Sequence, residues 1–190
     1  ALVQEATQQL ETETDRPTAM DHSLRPSFPK LTQFNSTRAL RASAIYRELQ
    51  PEIERVLRTV VEGNLAPETT AAGSSIRATA WNIERGTHLE PIIEILREHA
   101  LIGGSDVYLL TELDAGMARS HNRDVALEIG RRLGLNYAFA PCYIALNKGS
   151  GLEDQVPGEN LQSLHGNALF SPHPMRDAHS LSLPNGKDLM

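Results

Sequence analysis

Two polar residues stand at the carboxyl ends of the first two predicted strands. Asn82 follows residues 76–81, and Glu112 is the second residue after the Val-Tyr-Leu-Leu run at 107–110, which is typical of a buried strand. The carboxyl ends of strands are where α/β sheets gather their sites. A carboxylate beside a buried strand is costly unless it meets a cation or hydrogen-bond donors, so Mg²⁺ is a natural partner for Glu112. The alternative, which the spacing alone favours, is an ordinary strand-end acid that faces solvent.

Further along the chain, several polar residues are candidates for substrate binding. Arg119 could reach a phosphate, as could Arg123, because a guanidinium binds two oxygens at once. The alternative is that one of the two packs a loop by hydrogen bonds. His165 and Asn167 precede an apolar run and could line a cleft, or Asn167 could cap a turn while His165 is a solvated loop residue.

The elements that must position these residues alternate between strand-like and helix-like patterns. Apolar residues recur at helical spacing in 89–99 and 122–133, whereas short apolar runs predict strands. The predicted strands are 76–82, 106–110, 137–140, 168–170 and 178–183. This alternation predicts an α/β layered domain with a sheet covered by helices. We expect the first two strands to be neighbouring central strands, with Asn82 and Glu112 at the same end.

The region before this domain divides into two parts. Residues 1–37 are polar and broken by prolines, which predicts a mobile tail. Residues 38–75 are predicted to form a helical extension followed by a linker. Apolar positions recur along one helical face between 38 and 61, where Pro51 either starts a second helix or kinks a single one. The domain proper is expected at 76–190.

Composition narrows the class of protein. A formal charge of −6 disfavours non-specific binding of nucleic acid, which needs clustered Lys and Arg. The single cysteine, Cys142, excludes an intramolecular disulfide and cannot supply a cysteine zinc site alone. No run of about 18 apolar residues is present, so we expect no transmembrane segment. The protein is expected to be soluble, and cytoplasmic or exported after removal of a signal; its oligomeric state is open.

Four segments of the chain are similar, in order, to motifs of one superfamily. ATAWNIERG at 78–86 resembles the opening strand motif of the endonuclease/exonuclease/phosphatase superfamily, which has the DNase I-like fold. DVYLLTE at 106–112 resembles its second motif, in which a strand delivers a metal-binding glutamate. DAGMARSHNRDVA at 114–126 and HGNALFS at 165–171 are similar to segments of a bacterial branch.

The resemblance implies a DNase I-like layered α/β sandwich, a role for each of two residues, and a cofactor. It implies that Asn82 orients the phosphate or an active-site carboxylate, and that Glu112 binds the catalytic Mg²⁺ or Mn²⁺. In the family, an Asp-x-Asn motif and a final Asp-His pair complete the site, and neither follows Leu183. We therefore expect residues 76–190 to be the N-terminal half of such a domain, incomplete and with little activity alone.

The resulting functional expectation is a metal-dependent phosphoester hydrolase: a phosphodiesterase, phosphatase or nuclease. Small molecules, lipids and nucleic acids are the possible phosphoester substrates. Residues 76–190 hold ten basic against fourteen acidic residues, which favours the smaller substrates over nucleic acid. The alternative is a non-catalytic interaction or regulatory module derived from the same fold.

Overall fold

The computed structural model describes residues 20–67, 75–181, 183 and 189. Their strands are β1 (Val61–Gly63), β2 (Ala78–Arg85), β3 (Val107–Ala115), β4 (Asn136–Ile144) and β5 (Leu164–Ser171). They form one sheet in the order β1-β4-β5-β3-β2. β2 and β3 are parallel, and the other neighbours are antiparallel. The predicted α/β class is confirmed, and β2 neighbours β3 as expected, although β2 lies at the sheet edge rather than in its centre.

Five α-helices accompany the sheet in the described residues. They are α1 (Phe28–Leu31), α2 (Thr37–Ala42), α3 (Ala44–Arg58), α4 (Leu89–Glu98) and α5 (Val125–Leu133). α5 packs against β3 and β4 and against α4, while α3 contacts β4. The apolar spacing that predicted α4 and α5 corresponds to the stripe that each helix buries. Asp124 caps α5 by accepting a hydrogen bond from the Leu127 N–H.

The segment expected to be a mobile tail is packed where the structure describes it. Residues 1–19 lie outside the described residues, but 20–37 contain a short 3₁₀ turn and α1. Met20, Leu24 and Leu31 are almost fully buried and belong to the main hydrophobic core. The prediction was wrong for this part because it averaged composition over a polar stretch. A few apolar residues that reach one core can order a segment whose mean hydropathy is low.

The helical extension and linker also differ from the prediction. The break in the helices falls at Ser43, whose hydroxyl caps α3 by accepting from the Tyr46 N–H. Pro51 lies inside α3 and does not start a helix. The predicted linker includes Gly63, the last residue of β1, which pairs with β4. The sheet therefore includes a strand that precedes residue 76 in the sequence.

The last predicted strand is absent from the described residues of its segment. Residues 178–181 and 183 have no strand structure, and 175–179 instead border a pocket on the sheet face opposite the helices. Side chains of β2 and β3 on this face are partly open, and Leu109 is 43% exposed. None of the described helices has the length and apolar character needed to cross a bilayer.

The packing of residues 20–37 predicts a stability effect. Replacing Leu24, which is fully buried, with Ala should lower the free energy of unfolding by roughly 2–5 kcal/mol, since it removes core contacts and leaves a cavity. Leu152→Ala is the matched control, because Leu152 is 83% exposed and its replacement should change stability by no more than about 0.5 kcal/mol. Urea unfolding of the two variants measures the difference. Equal stabilities would mean that the segment is not part of the core.

Candidate functional site

The candidate site is built around an irregularity in β3. The prediction placed Glu112 after the end of the strand. In the structure it lies within β3, with φ of 59°. The pairing of β3 with both neighbours shifts register here. The shift lies between Asn82 and Arg85 in the pairing with β2, and between Leu110 and Leu113 in the pairing with β5. In a regular strand, residues i and i+2 share a face. The irregularity breaks this rule, so that Glu112 stays half-buried whereas Asp114 is fully buried.

Two amides hold Glu112 in place. The Asn82 Nδ2 donates to Glu112 Oε1 at 2.8 Å, and the backbone N–H of Glu112 donates to Asn167 Oδ1 at 3.3 Å. Asn167 also donates to Cys142 Sγ at 3.3 Å. Gly166 allows β5 to approach closely, since a Cβ there would collide with the carbonyl oxygen of Ala140. The structure therefore brings Asn82, Glu112 and Asn167 together, as a group with exposed amides.

Three residues with left-handed backbone lie at the same end of the sheet. Glu84 and Arg85, which end β2, have φ of 47° and 68°, and Glu112 is also left-handed. This conformation costs roughly 1 kcal/mol or more for a residue other than Gly. Asn82 Oδ1 supports the turn by accepting from the Glu84 N–H at 3.0 Å. Strained residues of this kind cluster at functional sites, where surrounding contacts hold them.

The oxygen atoms at this edge fit Mg²⁺ as a partial ligand set. Glu112 Oε2 has no hydrogen-bond partner among the described residues, whereas Oε1 is held by Asn82. Mg²⁺ in proteins is commonly bound by one or two carboxylates, with waters and substrate phosphates completing the shell. Within the described ranges, no group of three or more His, Cys, Asp or Glu residues could hold a metal. Glu112 can thus contribute one carboxylate oxygen to a magnesium site.

A second polar cluster lies beside the first and is buried. Arg119 donates to both oxygens of Asp114, from Nε and Nη2, at 2.8 Å each. His165 Nδ1 lies 2.8 Å from Asp114 Oδ1, and the imidazole stacks at a tilt on Tyr143 with ring centroids 4.9 Å apart. The Asp114 side chain is fully buried and that of Arg119 is 5% exposed. Such a bidentate pair fixes the positions of β3 and the turn after it.

The ionisation of this cluster follows from burial and partners. Burial disfavours the charged form of Asp114, but hydrogen bonds from Arg119 and His165 outweigh it, so the pKa of Asp114 is lowered from its usual value. Burial would also lower the pKa of Arg119, yet its contacts with Asp114 raise it above the usual value. The two groups are therefore a charged pair at neutral pH.

One carboxylate connects the buried cluster to the end of β2. Glu153 lies on a 3₁₀ turn, Glu153–Gln155, in the loop between β4 and β5. Its Oε1 is 2.8 Å from Arg85 Nε, and its Oε2 is 3.3 Å from Arg119 Nη1. The backbone N–H of Ser150 also donates to Oε2, at 3.3 Å. Although Arg85 Nε is in ion-pair contact, its N–H has no well-aligned acceptor in the described structure.

A pocket of about 570 Å³ adjoins the first cluster on the open face of the sheet. Its floor is formed by side chains of β3, β4 and β5, and its wall by residues 175–179. Thr111 and Asn167 line it beside Glu112, while Leu109, Ala138 and Ala140 make much of the floor apolar. The pocket therefore offers an apolar surface next to polar groups, which is common for small-molecule sites.

The five candidate residues fall into two groups. Asn82, Glu112 and Asn167 share the exposed edge, whereas Arg119 and His165 lie in the buried cluster and are paired with Asp114. His165 belongs to β5 and is 7% exposed, so it is not a solvated loop residue. Sequence reasoning missed Asp114, Arg85 and Glu153 as partners. A charged residue inside an apolar strand, followed five positions later by Arg119, is the signal that could have identified Asp114.

Comparisons of the chain with protein-family models, with curated proteins and with solved structures found no match.

The buried pair predicts a pH-dependent stability. Asp114→Asn should lower the free energy of unfolding at pH 7 by roughly 3–5 kcal/mol, because it leaves the buried charge of Arg119 poorly compensated. The pKa of Asp114 is lower in the folded than in the unfolded state, so its contribution is fully present above the unfolded value of about 3.9. The contribution is lost as pH falls through the folded pKa. The stability gap between wild type and variant should therefore narrow in acid.

Chemical unfolding at pH 7 and at about pH 3 measures this gap. Asp154→Asn provides the control, since Asp154 is an exposed acid in the loop that carries Glu153. A gap for Asp114→Asn that stays constant with pH would contradict the assigned ion pair.

Proposed function

We propose that the protein is a metal-dependent phosphoester hydrolase of the endonuclease/exonuclease/phosphatase type, with a DNase I-like arrangement of its sheet. The observation that carries the proposal is the hydrogen bond between Asn82 and Glu112. These residues lie on neighbouring parallel strands, at a point where each strand contains residues with left-handed backbone. An acid that only faces solvent needs neither contacts from two amide side chains nor a left-handed backbone, which costs free energy. This observation favours the metal-binding reading over an ordinary solvated acid.

In this proposal each residue has a distinct task. Asn82 fixes one carboxylate oxygen of Glu112, which leaves Oε2 directed by a defined rotamer toward a divalent ion. Asn167 holds the backbone of Glu112 at the irregularity and leaves its own amide at the rim of the pocket. When bound, Mg²⁺ would neutralise charge that develops on the phosphate oxygens. The base and the remaining metal ligands belong to residues other than these three.

The pocket and the charge balance favour a small or lipid phosphoester over nucleic acid. The apolar floor beside Thr111 and Asn167 suits the organic part of such an ester. The chain carries a formal charge of −6, which repels a polyanion unless basic residues are clustered. Comparing hydrolysis of a chromogenic phosphodiester with cleavage of a single-stranded oligonucleotide tests this preference.

A non-catalytic module is the second candidate. Metal binding separates the two candidates, because a module without chemistry has no need for a divalent ion at Glu112. A chain that binds neither Mg²⁺ nor Mn²⁺ would support the module.

The first test measures metal binding. Mn²⁺ should broaden the amide resonances of residues 82 and 112 selectively, and Mg²⁺ should compete. Glu112→Gln should weaken Mn²⁺ binding at least about tenfold, since hard cations prefer charged oxygen ligands. Glu84→Gln is the matched control, because Glu84 is an exposed acid on the neighbouring strand β2, at the same end of the sheet. Equal affinities of the two variants would remove Glu112 as a ligand.

The second test measures turnover. We expect hydrolysis of bis(p-nitrophenyl) phosphate that is abolished by chelator, because the bound ion would supply the charge stabilisation at the phosphate. Glu112→Gln and Asn82→Ala should each reduce it by about 10²-fold or to background, as removal of one stabilising group commonly does. Activity that persists in chelator, or in Glu112→Gln, would refute the proposed role of Glu112.

A further inference from the structure

The guanidinium groups of Arg85 and Arg119 converge on one carboxylate. Arg85 Nε contacts Oε1 of Glu153 at 2.8 Å, and Arg119 Nη1 contacts Oε2 at 3.3 Å. The N–H of Ser150 donates to Oε2 as well. Two guanidiniums and a backbone amide around one pair of oxygens is an arrangement that also binds phosphate.

The charges of this cluster favour an anion at this position. Asp114 neutralises one of the two arginines, and its pKa is lowered, so it remains ionised. Without Glu153, Arg85, Arg119 and Asp114 carry a net charge of about +1. The Nε–H of Arg85 is buried yet lacks a well-aligned acceptor in the described part of the chain, so Glu153 satisfies its donors incompletely. An unpaired buried donor costs roughly 1–3 kcal/mol, which a better-shaped anion would recover.

The 3₁₀ turn that carries Glu153 lies at the surface, although the loop around it is anchored through Asn160. The turn has no buried residue, and Leu152 beside it is 83% exposed. Gly151 and Gly158 have positive φ and nothing packed where a side chain would be. The side chains of Arg85 and Glu153 are 35% and 24% exposed, and ion pairs open to solvent contribute only about 0–1 kcal/mol. Displacing the Glu153 carboxylate therefore breaks its contacts with Arg85, Arg119 and the Ser150 N–H, which a phosphate group would replace, and uncovers no buried residue of the turn.

The position is next to the candidate metal ligand. Arg85 lies three residues beyond Asn82 on β2, and its backbone pairs with Leu113, which directly follows Glu112. An anion at this position would thus lie at the same end of the sheet as the Asn82–Glu112 pair.

We propose that Arg85, Arg119 and the Ser150 N–H form a binding site for a phosphate group, which the Glu153 carboxylate occupies in its absence. The choice of phosphate as ligand rests on the proposed function, whereas the preference for an anion rests on the cluster alone. Glu153 thereby acts as an internal competitor, and binding of the phosphate displaces its carboxylate from the two arginines while the Ser150 N–H stays in place.

Titration with inorganic phosphate, in the presence of chelator, tests this site. Glu153→Ala should bind phosphate at least about tenfold more tightly than wild type, because the competitor is removed. Asp154→Ala, which removes a neighbouring loop charge, should bind like wild type. Adding Arg85→Gln to Glu153→Ala should abolish the gain, whereas adding Arg58→Gln, at a 77% exposed arginine, should not. Equal affinities of Glu153→Ala and Asp154→Ala would overturn the proposal.

A second measurement covers the case in which Glu153→Ala does not fold. In wild type, phosphate should shift the amide resonance of Ser150 and the Nε–H resonance of Arg85 as Glu153 leaves. In Arg85→Gln the Ser150 shift should be lost, and an unchanged response there would refute the site. Glu112→Gln should still bind phosphate in chelator. Phosphate binding without metal-dependent turnover would therefore reject the hydrolase and keep the anion site.

Discussion

The left-handed backbone of Glu112 is the constraint on which the arrangement of polar groups depends. A regular β3 would place Glu112 and Asp114 on one face, and both carboxylates would be either buried or exposed. The irregularity separates them, so that one carboxylate is held by Asn82 at the open edge and the other is buried against Arg119. The same irregularity explains why Asn167 is needed, since the displaced N–H of Glu112 has left the regular ladder and takes the amide oxygen instead.

The buried pair of Asp114 and Arg119 has a structural role that supports the edge. It joins β3 to the turn that precedes α5, and His165 brings β5 into the same cluster. Buried ion pairs add little net stability compared with apolar packing, but removing one partner destabilises the protein strongly because the other charge is left buried and unpaired. The pair therefore fixes register more than it adds stability. Precise register in β3 is what keeps Glu112 at the irregularity and within reach of Asn82.

The spacing of apolar residues predicted those helices and strands that bury one face and whose apolar residues are close together in the sequence. The stripes of α4 and α5, the apolar run of β3 and the shared end of Asn82 and Glu112 all follow from spacing that a sequence displays directly. Other features depend on contacts between distant segments. Nothing local indicates that Leu24 reaches the core, that residues 61–63 join β4, or that Glu153 meets Arg85 across almost 70 positions. The sheet face on which Asp114 lies could not be predicted either, because the alternation of side chains between faces holds only in a regular strand.

The short strand β1 has a consequence for how the sheet meets its surroundings. By covering three of the nine residues of β4, it leaves only a very short strand at that edge, which is a poor template for a foreign strand and for misassembly. The opposite edge, at β2, has no covering strand among the described residues. There the left-handed turn at Glu84 and Arg85 bends the chain out of the ladder. The distortion that shapes the polar site thus also blunts the edge most exposed to amyloid-like growth.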